Sequence, residues 1–245
     1  VAFTGFILAY RGAGRGALLF TYAALGLAVL AKDILGAVGP AAAIALFFLL
    51  TRERQVRAQW VPWAGLGLFL IIAVPWYLAV EFQNRGFLWY TVVDNHLLNF
   101  TRQRLFPDED IPLTPQEFLG VTAIGFFPWS LMVPWAVARA LRRPWDTVEA
   151  RVWLLLGLWS VLVVGFFTLS PVKFPHYALP AFPALALLVA KLWEDVLDRA
   201  PGAPSARALL ILPLIALAGL AAVGFVAWRG EVRLPSGTLS LVDVA

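Results

Sequence analysis

Residues 152–170 read VWLLLGLWSVLVVGFFTLS, a run of nineteen residues without a charged side chain. An α-helix rises 1.5 Å per residue, so a helix over this run is about 28 Å long. That length is close to the roughly 30 Å thickness of the hydrocarbon core of a membrane. The run therefore predicts a membrane-spanning helix.

Similar apolar runs recur along the whole chain, in which 61% of the residues are hydrophobic, 14% are charged and the mean hydropathy is +0.79. Soluble domains are about half apolar and a quarter charged. We expect an all-α, polytopic transmembrane helical bundle with about seven complete spans plus one truncated span at residues 1–10. The transmembrane domain is expected over 1–228, and 229–245 would begin an outer-face tail. The other runs are 17–31, 34–50, 60–80, 118–138, 176–193 and 207–228.

Cysteine is absent, which excludes disulfides, thiolate nucleophiles and cysteine metal ligands. The net charge of +4 comes from basic residues scattered singly between apolar runs. Nucleic-acid-binding proteins instead gather basic residues into a patch or stripe. We therefore expect no nucleic-acid partner and assign the basic residues to loops at the membrane surface.

The basic residues also predict the orientation. Twelve of the 19 lie in alternate loops, at residues 11–15, 52–57, 139–151 and 191–207. Because cytoplasmic loops are enriched in lysine and arginine, these loops are placed in the cytoplasm. The long polar loop 81–117 then faces outward. This pattern predicts an integral protein of the plasma (inner) membrane whose active face is outside.

The outer loop carries the sequence GFLWYTVVDNHLLNFTRQRLFPDEDIPLTPQEF at 86–118. Apolar residues recur at helical spacing over 86–105, which predicts an interfacial helix lying along the membrane surface. His96 falls on the apolar row, so it is either a partly buried, hydrogen-bonded histidine or a ligand. Asp94 and Arg102 are either solvated charges or site residues. The acidic triplet 108–110, flanked by prolines, indicates an ordered turn and lacks the ligand spacing of a calcium loop.

Two shorter segments also place polar residues on the outer side. In GLAVLAKDILGAVGP (26–40), Lys32 either snorkels or pairs with Asp33, or points into a cavity shared with the outer loop. In SPVKFPHYALPAFPALALL (170–188), Lys173 and Tyr177 lie among three prolines. They are either interface anchors or a phosphate site, the lysine binding by charge and the tyrosine by its hydroxyl.

Three blocks, in this order, resemble those of integral membrane glycosyltransferases of the GT-C superfamily. They are the 26–40 hairpin, the segment AVPWYLAV (73–80) with the following loop, and the 170–188 loop. The nearest branch is the protein O-mannosyltransferase and lipid A aminoarabinose transferase type. The resemblance covers about residues 20–195.

The resemblance implies transfer of a sugar from a polyprenyl-phosphate carrier to a lipid, glycan or protein acceptor, among membrane lipids, at the outer face. It implies a general base in a loop upstream of Val1. Lys173 and Tyr177 match residues near the donor phosphate, and we add Arg102 and Lys32 as further candidates. His96 matches a histidine that contributes to a metal site, so a divalent metal ion is a candidate cofactor.

The chain also departs from the family pattern. Asn95 stands where a glutamate usually precedes the histidine, Asn99 replaces an arginine, and Asp33-Ile34 replaces Gly-Pro. A polytopic lipid or solute transporter (a flippase) is the main alternative function, and a non-catalytic membrane scaffold is a third. Transporters place ionisable residues and broken helices near the bilayer midplane. Here the polar residues gather at the outer surface, which favours the transferase.

The predicted orientation is tested by single cysteine substitutions in this cysteine-free chain. Glu53→Cys and Asp108→Cys should react with a membrane-impermeant thiol reagent from opposite sides of the membrane, because they lie in loops on opposite sides. Labelling of intact and inverted vesicles distinguishes the two sides. Labelling of both residues from one side would contradict the orientation.

Overall fold

The computed structural model describes residues 1–52, 60–99, 101–106, 113–142 and 144–228. These residues form helices and turns without any strand, as the sequence predicts. The acidic triplet 108–110 and the tail 229–245 lie outside the described residues. The helices are α1 (Ala2–Leu8), α2 (Arg15–Ala31), α3 (Leu35–Thr51), α4 (Trp63–Gln83), α5 (Phe87–Trp89), α6 (Pro115–Gly125), α7 (Val133–Leu141), α8 (Val148–Leu169), α9 (Phe182–Leu197) and α10 (Ala206–Trp228).

Helix α8, which contains the apolar run 152–170, is the centre of the bundle. It packs against α3 on one side and against α7 and α9 on the other. Leu154, Leu155 and Leu158 are buried with aromatic residues of α1 and α3, and Leu156 is buried with residues of α7 and α9. Gly157 allows the close approach of α7, since a Cβ there would lie 3.2 Å from the Leu141 side chain. This uncharged run thus forms a helix that packs against neighbours on two sides.

The helices differ in whether they are long enough to span a membrane. Within the described ranges, four segments qualify by length and composition: Trp63–Gln83, Val148–Leu169, Pro175–Leu197 and Ala206–Val226. Helices α2 and α3 are apolar but have 17 residues each, about 25 Å. Both helices correspond to apolar runs that are already short in the sequence, 17–31 and 34–50.

The run 118–138, which predicts one membrane span, is bent in the structure. The structure places α6 there, then a turn of 3₁₀ helix at Trp129–Met132, then α7. The two parts, Pro115–Gly125 and Trp129–Leu141, are bent by 110° relative to each other. Pro128 and Pro134 interrupt the run, and a proline donates no backbone hydrogen bond. A fifth span exists by length only if this bent pair is counted as one.

The predicted outer-loop helix forms, but it is shorter than expected and most of it is a π-helix. α5 continues as a π-helix over Tyr90–Leu98. Helical backbone ends at Asn99, and Arg102 has a left-handed φ of 57°. Glu81 fixes the start of this helix by accepting hydrogen bonds from the backbone N–H groups of Gly86 and Leu88 at 3.0 and 2.8 Å. The helix therefore spans about 87–99 rather than 86–105.

A tight hairpin joins α2 to α3 and sets the position of Lys32 and Asp33. Gly36, in the first turn of α3, lies against the backbone of α2, where a Cβ would overlap the carbonyl group of Ala28. Asp33 Oδ1 accepts a hydrogen bond from Leu35 N–H at 2.8 Å, which satisfies the first backbone N–H of α3. From α4, the Tyr77 hydroxyl donates to the Val29 carbonyl oxygen at 3.3 Å. The close contact of Gly36 with the α2 backbone and the hydrogen bond from Tyr77 of α4 therefore hold the hairpin together.

Gly36→Ala should destabilise the protein, because the added methyl group meets the Ala28 carbonyl and forces the hairpin open. Overpacking of this kind costs about 1–3 kcal/mol. The melting temperature of the purified protein in detergent measures the effect. Gly39→Ala, in the same helix with open space around it, is the matched control and should be neutral or slightly stabilising. Equal melting temperatures for the two variants would contradict the close contact.

Candidate active site

A polar pocket of about 60 Å³ lies where three segments meet at the C-terminal end of α8. The segments are the α2–α3 hairpin, the π-helical part of the outer loop, and the end of α8 with the loop that follows it. The volume corresponds to about two water molecules, so only a small polar group fits without movement. The lining residues are Lys32, Asp33, Leu35, Asn95, His96, Asn99, Phe166, Phe167, Ser170, Val172 and Tyr177.

Lys32 reaches the pocket from the tip of the hairpin, and two aromatic rings hold it there. Its Nζ lies 4.1 Å from the centre of the Tyr177 ring and 5.0 Å from that of Phe167. Such cation–π contacts stabilise an ammonium group without neutralising it. Burial lowers the pKa of Lys32 below its usual value, while the neighbouring Asp33 carboxylate raises it. The hairpin thus delivers a positive charge that can attract an anion.

His96 lies on the opposite wall of the pocket and faces Asp33. Its Nε2 is buried 3.9 Å from Asp33 Oδ2, and it makes no hydrogen bond within the described part of the chain. A metal site usually needs three or more protein ligands. The described residues contain no group of three histidine or acidic side chains that could hold one. His96 and Asp33 therefore offer two ligands at most from these residues.

Lys173 does not project from the outer surface as the sequence suggested. Only 3% of the residue is exposed. Its Nζ donates to the carbonyl oxygen of Leu113 at 3.3 Å, and Leu113 N–H donates back to the Lys173 carbonyl oxygen at 3.3 Å. Burial and the nearby Arg102 charge lower the pKa of Lys173. This lysine ties the 170–175 loop to the end of the outer loop, so it is also a structural residue.

The predicted site residues fall into two groups. Lys32, His96 and Tyr177 line the pocket together. Lys173 and Arg102 are close enough to each other to interact electrostatically, but neither is among the lining residues. Arg102 is exposed at the turn after the outer-loop helix. Together the two groups comprise five cationic or hydrogen-bonding side chains, carried by the hairpin, the outer loop and the 170–188 loop.

The structure decides the position of residues that the sequence left open or did not single out. Asp94, which the sequence left as either a solvated charge or a site residue, is completely buried. Its Oδ1 accepts a hydrogen bond from Leu105 N–H at 2.6 Å, and its Oδ2 lies 3.5 Å from Arg104 Nε. Asp94 therefore folds residues 101–106 back onto the helix. Asn95, Asn99 and Ser170 add polar groups to the pocket; only their helical spacing with His96 could have indicated this for the asparagines.

The fold and this pocket together define a class: an integral membrane helical protein with a cation-bearing polar site assembled by loops at one end. No known protein-family model matches the sequence. Curated relatives do match. The undecaprenyl phosphate-alpha-4-amino-4-deoxy-L-arabinose arabinosyl transferase of Erwinia tasmaniensis is 28% identical over 212 residues, 86% of this chain and 37% of that protein. The corresponding transferase of Pseudomonas paraeruginosa is 30% identical over 85% of this chain and 36% of that protein.

Solved structures agree with the sequence comparison. The crystal structure of ArnT from Cupriavidus metallidurans bound to undecaprenyl phosphate superposes with a TM-score of 0.68 at 26% identity, over 90% of this chain and 37% of that one. Its apo state gives a TM-score of 0.66. These relatives and solved structures support the resemblance of the chain to glycosyltransferases of the GT-C superfamily. It spans a little over a third of the length of the relatives it matches.

Asp94→Ala should release the outer loop, because it removes the buried carboxylate that accepts from Leu105 N–H and pairs with Arg104. Breaking a buried ion pair from one side costs about 3–5 kcal/mol. Hydrogen exchange of the amides of residues 101–106 should rise strongly in the variant. Asp146→Ala, which removes an exposed carboxylate, is the control and should leave that exchange unchanged. Unchanged protection in Asp94→Ala would contradict this role.

Proposed function

We propose that the protein transfers a sugar from a polyprenyl-phosphate carrier to an acceptor at the outer face of the plasma membrane, from a bundle of about seven spans. The observation that carries the proposal is the placement of Lys32 on the Tyr177 and Phe167 rings, in a polar pocket at the end of apolar helices. The similarity to arabinosyl transferases supports it. The acceptor is a lipid, a glycan or a protein.

The proposed donor has two chemically different parts, and the chain offers a place for each. Its phosphate suits the pocket containing Lys32, with Tyr177 as a hydrogen-bond donor and with Lys173 and Arg102 as flanking cations. Its polyprenyl tail suits an apolar groove of about 780 Å³ formed by α6, α7 and α8. The groove runs along α8 from Ser160 to Leu169, which immediately precedes pocket residue Ser170. By analogy with the relatives, undecaprenyl phosphate is the proposed carrier and an aminopentose the proposed sugar.

The reaction breaks one bond and forms another. An acceptor oxygen attacks the anomeric carbon, the bond from that carbon to the phosphate oxygen breaks, and the phosphate leaves with the electron pair. The acceptor proton passes to a general base, which we place outside these 245 residues, as the family resemblance implies. Negative charge grows on the leaving phosphate, and a preorganised ammonium group in a site of low dielectric stabilises it. Lys32 is the residue best placed for this role.

The role of a metal remains a proposal based on the family resemblance. His96 and Asp33 would supply ligands from this chain, and a divalent ion would add positive charge beside the donor phosphate. Without the ion, His96 orients the hairpin through its contact with Asp33. Both roles place His96 in the pocket wall, and neither changes the assignment of Lys32.

The transporter alternative has less support. The relatives and solved structures named above are sugar transferases. The polar side chains described here gather at helix ends rather than at the middle of the spans, where transporters bind their substrates. The bent pair α6–α7 is a broken helix, but it borders an apolar groove rather than a polar one.

Lys32→Gln should reduce sugar transfer by about 10², the scale for losing one preorganised electrostatic contact. The purified full-length protein is given undecaprenyl-phosphate-linked aminoarabinose and an envelope lipid extract, and released undecaprenyl phosphate is measured by mass spectrometry. Tyr177→Phe keeps the aromatic ring that contacts Lys32 and removes only the hydroxyl group. It should therefore reduce sugar transfer less than Lys32→Gln does.

Arg85→Gln is the matched control, because it removes an exposed cation from the same side of the protein. It should transfer at the parental rate. Parental activity in Lys32→Gln would exclude Lys32 from the phosphate site. Absence of undecaprenyl phosphate release by the parental protein with any sugar donor would contradict the transferase function itself.

A further inference from the structure

A second polar pocket, of about 350 Å³, lies at the opposite end of α8 from the candidate active site. The first turns of α8, the ends of α7 and α9, and the turn after α9 form it. Its walls include three basic side chains and one carboxylate. The residues that carry the inference are Arg139, Arg142, Trp153, Lys191, Asp195 and Leu192.

Two of the three basic side chains are fixed by ion pairs. Arg139 Nε pairs with Asp195 Oδ2, and its Nη1 donates to the Pro201 carbonyl oxygen at 3.1 Å. Lys191 Nζ lies 2.9 Å from Asp195 Oδ1 and 3.0 Å from Glu194 Oε2. Two cations and two carboxylates balance in this cluster. It gives the pocket a rigid polar wall but no excess charge.

Arg142 provides the excess positive charge. It ends α7 in an extended conformation and is exposed, and its guanidinium makes no ion pair with the described residues. Ala150, in the first turn of α8, lies on the same wall, so the positive end of the α8 dipole also faces the pocket. The Ala150 N–H donates to the Thr147 hydroxyl, so Arg142 is the feature of the pocket that favours an anion.

The floor of the pocket is apolar, which distinguishes it from a site for a free ion. Ala136, Ala140, Leu188 and Leu192 form the floor and are buried. Trp145 and Trp153 stand in the walls, and tryptophan is enriched where helices leave the membrane. A polar rim above an apolar floor at the ends of membrane helices suits an amphiphile lying at headgroup depth.

We propose that this pocket binds the phosphate group of an anionic phospholipid of the cytoplasmic leaflet, with Arg142 as the principal contact. Basic pockets between membrane helices on the cytoplasmic side are suited to anionic headgroups. The side of the membrane follows from the excess of basic residues in the loops at this end. The site is separate from the donor pocket and involves none of the residues assigned there.

Native mass spectrometry of the delipidated, purified protein tests the proposal. The protein is titrated with phosphatidylglycerol and, separately, with zwitterionic phosphatidylcholine of the same acyl chains. One phosphatidylglycerol should bind about tenfold more tightly than phosphatidylcholine, and Arg142→Gln should lose that preference, because a hydrogen bond to a charged group is removed. Folding should be unaffected, since Arg142 is exposed, and an unchanged melting temperature in phosphatidylcholine verifies this.

Arg207→Gln is the matched control, because it removes an exposed arginine from the same end of the molecule but outside the pocket. It should keep the preference for phosphatidylglycerol. Equal loss in both variants would show diffuse attraction and overturn the site. Retention of the preference in Arg142→Gln would overturn it as well. Displacement of the lipid by millimolar inorganic phosphate would show that the pocket takes a free anion, which rejects a phospholipid site.

Discussion

The cost of placing a charge in hydrocarbon governs this structure. Helix α8 crosses the bundle with no charged residue from Val152 to Ser170, and the other helices pack around it. Among the described residues, most charged side chains therefore lie near helix ends or in loops. The pocket that contains Lys32 lies at one end of α8 and the basic pocket at the other, so both candidate sites are built by loops and helix termini on an apolar scaffold.

At the outer end, three separate segments depend on one another. The contact of Gly36 with the α2 backbone fixes the hairpin, and the hairpin places Lys32 on the Tyr177 ring. The buried Asp94 carboxylate holds the end of the outer loop, and Lys173 connects that loop to the segment that contains Tyr177. A change in any of these contacts alters the geometry of the pocket. The functional charge is thus positioned by interactions that are mostly structural.

Under the proposed function, a small pocket containing Lys32 would have to serve a large lipid-linked donor. The ammonium group rests on aromatic rings rather than on a carboxylate, so it keeps its charge available for a phosphate. In a partly desolvated pocket this charge acts more strongly than it would in water. The tail and the sugar need not enter the pocket, because the apolar groove beside α8 and the open outer surface are available to them.

The sequence by itself determined the helical class and the polar segments that meet at the outer end. Apolar runs predict helices directly, because each run must be buried in lipid or protein. The resemblance of three sequence blocks indicated the family. Lys32, His96 and Tyr177 were chosen from the sequence and do line one pocket, while their roles stay predictions. Only the tertiary structure decided that Asp94 and Lys173 are buried, that the run 118–138 bends by 110°, and that Asp33 faces His96. The physical reason is that periodicity gives the faces of one helix, whereas burial of a charge depends on which distant loop packs against it.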